Sequence, residues 1–95
     1  MQGGWVYIMA NRRGGVLYIG VTSDLARRAW EHRTGVGSAF VKKYGVTRLV
    51  YAERHEEIVR AIQRETSIKR WPRAWKNDLI ATMNPGGEDL FERLN

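Results

Sequence analysis

Cysteine is absent from this 95-residue sequence, so neither a disulfide framework nor a thiolate metal site can form. No apolar run approaches the length of a membrane-spanning helix, and the start of the chain lacks the basic and apolar regions of a signal peptide. No low-complexity tract or long polar run indicates disorder, and no internal repeat is visible. These absences predict a cytoplasmic protein that folds without disulfides and has no membrane as a partner.

Acidic residues are few relative to basic ones. Lys and Arg outnumber Asp and Glu by 16 to 10, which leaves a formal charge of +6 and a pI near 10.2. Such an excess on a small surface favours a polyanion as partner, and the alternative is a basic soluble protein without one. Since a second core would leave each half too small, we expect residues 1–95 to form a single domain that holds every motif.

Two apolar, β-branched and aromatic segments predict a β-hairpin near the start of the chain. Segments 5–9 and 16–21 flank the polar, glycine-ended loop 10–15. If the turn is centred between Arg12 and Arg13, Tyr7 and Tyr18 face each other directly on one side of the sheet. Segment 47–52 has the composition of a third strand.

Helical spacing follows the hairpin. Ser23 or Asp24 can cap a helix that ends at Gly35, and one face of it carries Leu25, Arg28, Ala29 and His32. Segment 37–44 predicts a short turn or helix. Further helices are expected over 56–69 and 74–83, separated by Trp71-Pro72, with a short helix over 89–94. The chain is therefore predicted to be α+β.

Glu65 interrupts an apolar helical stripe. The stripe of the 56–69 helix consists of Ile58, Ala61, Ile62, Glu65 and Ile68. A carboxylate on an apolar face costs several kcal/mol unless it is paired or binds a cation. It could hold Mg²⁺ or Mn²⁺ if water and substrate phosphate completed the shell. Alternatively, it forms a salt bridge to one of the many arginines, or the face is only half buried. The residues leave both interpretations open.

Arg28 and His32 stand one helical turn apart, so both side chains can approach one phosphate. Arginine clamps phosphate oxygens and stabilises transition-state charge, and histidine can donate a hydrogen bond or carry a proton near neutral pH. Alternatively, Arg28 pairs only with Glu31 and His32 is a surface residue.

The aromatic residues also allow two interpretations. Strand tyrosines such as Tyr7 and Tyr18 are usually packing residues, because a phenol with a pKa near 10 becomes a useful base only beside positive charge. Trp71 and Trp75 lie among cations that could bind nucleic acid while the rings stack on unpaired bases. These cations include Lys69, Arg73 and Lys76. For at least two of the four tryptophans we expect core packing.

Taken together, these elements resemble the GIY-YIG nuclease superfamily, and especially its small stand-alone bacterial members, which look like the nuclease subunit of structure-specific junction endonucleases. The matching residues, in the family order, are Trp5-Val6-Tyr7, Tyr18-Ile19-Gly20, Arg28, His32, Glu65 and Asn84-Pro85. The first element departs from Gly-Ile-Tyr but keeps its tyrosine. The resemblance implies a small three-stranded antiparallel sheet flanked by helices.

The resemblance also implies a reaction, the hydrolysis of phosphodiester bonds with one divalent cation, Mg²⁺ or Mn²⁺. Glu65 would bind the metal, Tyr7 would act as general base toward water, and Tyr18 would orient the nucleophile or phosphate. Arg28 would stabilise the developing charge and His32 would assist by hydrogen bonding or proton transfer. Gly20 and Asn84 would support the site.

The expected partner is therefore nucleic acid, with branched or single-stranded DNA as the substrate and DNA repair or recombination as the setting. One rival is a non-catalytic DNA-binding module on the same fold. Another is a nuclease subunit that needs a partner protein, and a homo-dimer is also left open. Retention of all the catalytic residue types favours an enzyme over the binding module.

Overall fold

The computed structural model describes residues 2–36 and 38–94. In chain order its elements are the strands β1 (Gly4–Ala10) and β2 (Leu17–Thr22), the helices α1 (Leu25–Thr34) and α2 (Ala39–Tyr44), the strand β3 (Arg48–His55), the helices α3 (Ile58–Lys69) and α4 (Arg73–Met83), and a 3₁₀ helix (Phe91–Leu94). The α+β prediction and the three-strand antiparallel sheet are confirmed. Gly37, the first residue of the predicted segment 37–44, lies outside the described residues.

The three strands form a sheet in the order β2-β1-β3, and both pairings are antiparallel. β1 lies at the centre, and every residue from Val6 to Ala10 is buried. A central strand covered on both faces is expected to be apolar throughout rather than alternating. One face packs against α3 and α4 through a core that includes Val6, Ile8 and Ile68, and the other face carries Tyr7 and Met9 together with Leu25.

The hairpin register differs from the expectation by two residues. Tyr7 pairs with Gly20, and Tyr18 pairs with Met9, so the direct Tyr7–Tyr18 pairing was wrong. The reason lies in the loop: the Gly15 amide donates to the Arg12 carbonyl at 3.0 Å, and Gly14 adopts φ +72°. This turn is centred one position later than assumed. The two tyrosines become diagonal neighbours on the same face, with ring centroids 6.2 Å apart.

β3 pairs with β1 through a bulge. Ile8 lies opposite Tyr51 and Met9 opposite Leu49, so Val50 is the extra residue. As a result Val50 and Tyr51 both pack on the α3 side of the sheet, whereas Leu49 packs on the α1 side.

The helix α3 buries a narrower stripe than predicted. Ala61 and Ile68 are buried, but Ile62 is 47% exposed, so its assignment to the core was wrong. With about 100° per residue, Ile62 lies about 100° around the helix from the Ala61–Ile68 line, whereas Glu65 lies only about 40° from it. Consistently, the Glu65 side chain retains only 16% of its exposure. Within the described ranges, no helix combines the length and the apolar character needed to cross a membrane.

Candidate active site

A buried tyrosine hydroxyl lies at the centre of a polar cluster on the α1 face of the sheet. Tyr7 is 1% exposed, and its Oη lies 3.1 Å from His32 Nε2 and accepts a hydrogen bond from Arg28 Nε at 3.2 Å. Both partners come from α1, where they are one turn apart. The Asp24 carboxylate caps this helix by accepting from the Arg27 amide at 3.1 Å. The cap and the strand register thus place the three side chains together.

Tyr18 completes the cluster from β2. Its ring centroid lies 4.9 Å from that of His32, and the two rings meet edge to face at 63°. The structure therefore brings together four of the predicted site residues, namely Tyr7, Tyr18, Arg28 and His32. The alternative that His32 is a surface residue is wrong, because His32 is only 1% exposed.

Burial sets the protonation states of this cluster. It raises the pKa of Tyr7 to about 12, although the Arg28 hydrogen bond acts in the opposite direction. Burial, with help from the positive charge of Arg28, lowers the pKa of His32 to about 4. Hydrogen bonding to Tyr7 raises the pKa of Arg28, so the guanidinium stays charged. Near pH 7 the cluster thus holds a neutral phenol, a neutral imidazole and a cation.

The hydrogen-bond directions follow from these states. Arg28 can only donate, so Tyr7 Oη accepts from Nε, and the phenol proton is left to point at His32 Nε2. The remaining imidazole proton is then assigned to Nδ1. No described residue gives this buried nitrogen a hydrogen-bond partner, and the Val46 backbone beside the ring makes no hydrogen bond of standard geometry with it. The two hydrogen bonds therefore run in one direction, from Arg28 to Tyr7 and from Tyr7 to His32.

Arg28 also contacts Glu31, as the alternative reading of the sequence supposed, but this pair is not its only interaction. Nη1 donates to Glu31 Oε1 at 3.1 Å while Nε is engaged with Tyr7. Nη2 takes part in neither of these hydrogen bonds, Tyr18 lies close enough to the guanidinium to help raise its pKa, and the side chain is 29% exposed. Nη2 is therefore the donor that is available to an anion.

Gly20 makes the position of the Tyr7 hydroxyl possible. A Cβ built at Gly20 would overlap the hydroxyl and the adjacent ring carbon of Tyr7, its partner across the strands. The ring is packed and cannot swing aside as a flexible side chain would. Sequence reasoning named Gly20 only as a supporting residue, since the close approach depends on a register that the sequence did not predict.

Glu65 lies on a different helix, and the structure gives it a different partner. α3 packs on the sheet face opposite α1, mainly against β1 and the edge strand β2. The Glu65 carboxylate lies 3.3 Å from Lys69 Nζ, an i,i+4 pair whose lysine is 55% exposed. Within the described chain Glu65 forms no hydrogen bond or ion pair with the Tyr7 cluster. Glu65 thus forms a salt bridge, but its partner is a lysine and not an arginine.

The described side chains suit only a cation that takes few of its ligands from the protein. Among the described residues there is no group of three or more His, Asp or Glu side chains that could enclose a metal ion. A single carboxylate is nevertheless a ligand that magnesium accepts when water and substrate phosphates supply the other positions. Glu65 fits that role, provided that Lys69 moves aside.

Asn84 is a structural brace in this arrangement. Its Nδ2 donates to the Val50 carbonyl at 3.0 Å and to the Glu88 carbonyl at 2.7 Å, and its Oδ1 accepts from the Glu88 amide at 3.0 Å. Every polar atom of this side chain is used, and the residue is 5% exposed. Asn84 thus connects the end of α4 to β3, and it makes no hydrogen bond to the Tyr7 cluster among the described residues.

The predicted nucleic-acid-binding residues lie around α4 and the end of α3. Arg73 borders a cavity of about 290 Å³ together with Arg12 and Arg13. Lys69 pairs with Glu65, and Lys76 donates to the Lys69 carbonyl at 3.3 Å.

Two of the four tryptophans pack against the cores and two are exposed. Trp5 and Trp71 are the packed ones. Trp30 is 53% and Trp75 57% exposed. The prediction that at least two tryptophans serve packing is confirmed.

The sheet, its flanking helices and the phenol–imidazole–guanidinium cluster define a small α+β domain with a built polar site. The family model described as the GIY-YIG catalytic domain matches residues 3–78. The chain therefore belongs to the GIY-YIG family, which is a family of nucleases. The match contains Tyr7, Tyr18, Arg28, His32 and Glu65, whereas Asn84 lies beyond it.

The similar proteins match between about two thirds of the chain and nearly all of it. A UPF0213 protein of Enterobacter sp. (strain 638) is 30% identical over 90 residues, which is 95% of this chain and 83% of that protein. A UPF0213 protein of Natronomonas pharaonis is 38% identical over 65 residues, covering 68% of this chain and 76% of its own. The solution NMR structure of a UPF0213 protein from Bacillus halodurans superposes with a TM-score of 0.57 at 28% identity and covers 92% of both chains.

Proposed function

We propose that this protein is a metal-dependent endonuclease that hydrolyses phosphodiester bonds in DNA, with branched or single-stranded DNA as substrate and with DNA repair or recombination as its setting. The proposal treats residues 1–95 as one nuclease domain of the cytoplasm. The observation that carries it is the Tyr7 hydroxyl, held between a charged guanidinium and a neutral imidazole. A core hydroxyl needs one hydrogen-bond partner, and this one is held by two: a guanidinium that only donates and an imidazole nitrogen that can accept.

In this mechanism the cluster moves one proton. As water attacks the phosphorus, its proton passes to Tyr7 Oη while the phenol proton passes to His32 Nε2. Tyr7 thereby acts as the general base without accumulating as phenolate, which its pKa of about 12 would disfavour. Because the pKa of His32 is about 4, the imidazole is a weak base, so it holds the proton only while water attacks and then returns it to the phenol oxygen. Tyr18, beside His32, orients the water or the phosphate.

Two side chains stabilise charge. The Nη2 group of Arg28 faces the negative charge that grows on the phosphate oxygens, and a charge-assisted hydrogen bond from arginine is suited to that task. Glu65 would hold Mg²⁺ or Mn²⁺, and the cation would neutralise the scissile phosphate and stabilise the leaving oxygen. For this, Glu65 has to reach the substrate around the edge strand β2, against which α3 packs.

The direct experiment is cleavage by the purified protein. Labelled single-stranded, duplex, flap and junction DNA, with matched RNA, are incubated with Mg²⁺, with Mn²⁺ or with a chelator. We expect cutting that requires the metal, and Arg28→Ala should lower turnover on the order of a hundredfold. Binding without cutting would identify the non-catalytic module. Cutting only after a cellular protein is added would identify a subunit that needs a partner, and a homo-dimer would appear as an increase of specific activity with concentration.

Glu65→Gln tests the metal role. The amide keeps the shape but removes the charge that holds a hard cation, so cleavage and Mn²⁺ binding should both be lost. Stability should hardly change, because an i,i+4 pair whose lysine is solvent-exposed contributes only about 0.3–0.5 kcal/mol. Lys69→Gln is the matched variant: it removes the cation that competes for Glu65 and should tighten Mn²⁺ binding in calorimetry. A Glu65→Gln protein that cuts at the wild-type rate removes Glu65 from the mechanism.

A further inference from the structure

A row of aromatic rings leads from the Tyr7 cluster to the protein surface. The Phe40 ring lies 5.7 Å from Tyr18, and the Tyr44 ring lies 4.7 Å from Phe40, measured between centroids. Since Tyr18 also contacts His32, the row is continuous with the site that holds the Tyr7 hydroxyl. We call Tyr18, Phe40 and Tyr44 the aromatic row.

The core does not account for the two rings of this row that α2 supplies, although Tyr18 packs against the core on the α1 side of the sheet. α2, which supplies Phe40 and Tyr44, buries only Val41 among its residues. Phe40 is 38% exposed and Tyr44 39% exposed, so each leaves much of its ring open. Large aromatic side chains usually contribute most when they are buried, and a row of them left open next to a polar site suggests a ligand surface.

The charge that α2 carries has a single sign. α2 contains no acidic residue, and Lys42 and Lys43 occupy its last turn. Lys43 Nζ lies 5.3 Å from the centroid of the Tyr44 ring. Aromatic rings interleaved with lysines favour a ligand that has flat π-faces and a negative backbone. An unpaired nucleic-acid strand has both, whereas the bases of an intact duplex are stacked on one another.

We propose that the aromatic row is a stacking platform for unpaired nucleobases next to the scissile phosphate, and that it makes the enzyme act where bases are not paired. This inference rests on the proposed function, since the strand that it orders is the substrate of the Tyr7 cluster. The bases flanking the cut stack on Phe40 and Tyr44 while Lys42 and Lys43 meet their phosphates. Tyr18 joins the platform to the chemistry.

The test measures binding in a chelator, so that cleavage plays no part. Fluorescence anisotropy compares a single-stranded oligonucleotide with the same oligonucleotide carrying abasic sites, which keep the phosphates but lack the bases. We expect the abasic strand to bind the wild-type protein on the order of tenfold more weakly. Phe40→Leu and Tyr44→Leu, which keep apolar bulk, should weaken binding of the normal strand and leave the abasic strand unchanged. 2-Aminopurine in the strand should be quenched by the wild-type protein.

Two control variants isolate the rings. Tyr44→Phe keeps the π-face and should bind as the wild type does. Trp30→Leu removes an exposed aromatic residue of α1 that belongs to no ring pair in the described chain, and it should also have no effect. Equal wild-type affinity for the two strands would overturn the proposal whatever the variants do. Cleavage without base-dependent binding would support the nuclease proposal and overturn the stacking platform. Base-dependent binding without cleavage would support the stacking platform and overturn the nuclease proposal.

Discussion

At the scale of single residues, the Tyr7 hydroxyl occupies space that only glycine at position 20 leaves open. Gly20→Ala should therefore displace the Tyr7 ring, lower stability by about 1–3 kcal/mol as other overpacked cores do, and reduce cleavage more than tenfold. Chemical denaturation and turnover on a fixed substrate measure the two effects. Gly86→Ala is the matched control, because a Cβ there meets nothing closer than 3.6 Å. Normal activity in Gly20→Ala would show that the hydroxyl position is not critical.

His32 should make the fold sensitive to mild acid. Its pKa is about 4 in the folded protein, against an ordinary value of about 6.5 in the unfolded chain. The unfolded chain therefore takes up the proton first, so the contribution of His32 is complete above pH 6.5 and is lost as the pH falls toward 4. The loss should amount to roughly 3 kcal/mol between pH 7 and pH 4. Denaturant melts across that interval measure it.

The control for this prediction is His32→Gln, which cannot titrate and should show a flatter stability profile between pH 4 and pH 6.5. Acidic groups act in a lower range. Burial alone would raise the pKa of Glu53, but hydrogen bonds from Tyr51, His55 and Arg64 outweigh it and lower that pKa. The contribution of Glu53 to stability is therefore lost only as the pH falls below the ordinary pKa of a glutamate. If wild type and His32→Gln lost stability in parallel from pH 6.5 downward, the burial argument for His32 would be wrong.

At the scale of elements, Asn84 connects the end of α4 to β3 and to the loop that follows. Asn84→Ala would leave the Val50 carbonyl and both backbone groups of Glu88 without these partners, which should cost about 2–4 kcal/mol and lower the Tm by on the order of 10 °C. Below that melting range turnover should stay near normal, because Asn84 braces the fold. Asn77→Ala on the exposed side of α4 is the control. A large loss of turnover in a folded Asn84→Ala protein would assign it a direct role.

Element types were predictable because local patterns determine them. The helix over Leu25–Thr34 with its Asp24 cap and Gly35 end, and the three strands, follow from capping residues and apolar periodicity. That Arg28 and His32 share one face of α1 followed too, since helical spacing determines which side chains lie together on a helix. Pairing register did not follow, because it depends on the loop turn at Arg12–Gly15, and several turns fit a glycine-rich loop.

Tertiary effects explain what else the sequence could not show. The exposure of Ile62 depends on where the sheet contacts α3. The availability of Arg28 Nη2 depends on the hydrogen bonds that Nε donates to Tyr7 and Nη1 donates to Glu31. The aromatic row joins β2 to α2, which are separated in sequence by all of α1. Only the packing of both helices on one sheet face brings Phe40 beside Tyr18. Such contacts are set by the whole fold and not by any local spacing.

At the scale of the whole molecule, the charge of +6 is spread over a body about 34 × 28 × 26 Å, so a polyanion meets a positive potential from many directions. Several arginines are offset by carboxylates, such as Arg33 by Asp89 and Arg64 by Glu53. Arg12, Arg13 and Arg73 have no ion pair among the described residues, and they border one cavity. The part of the surface near α4 and the hairpin loop therefore carries cations that are not locally neutralised.

Binding of DNA should accordingly fall steeply with added salt, because each neutralised phosphate releases counterions and contributes about −0.9 to the slope of log K against log [salt] on duplex DNA. Replacing Lys69, Arg73 or Lys76 by glutamine should weaken binding modestly without abolishing the chemical step. The slope should fall by about 1 for Arg73 and for Lys76, and by less for Lys69, which is paired with Glu65 at 3.3 Å. Arg93→Gln is the control, since Arg93 is already paired with Glu88 at 3.2 Å. Titrations between low and physiological salt, read by anisotropy in a chelator, measure the slopes. Affinity that does not change over this range would refute the electrostatic argument, and equal slopes for Arg73→Gln and Arg93→Gln would place the binding surface elsewhere.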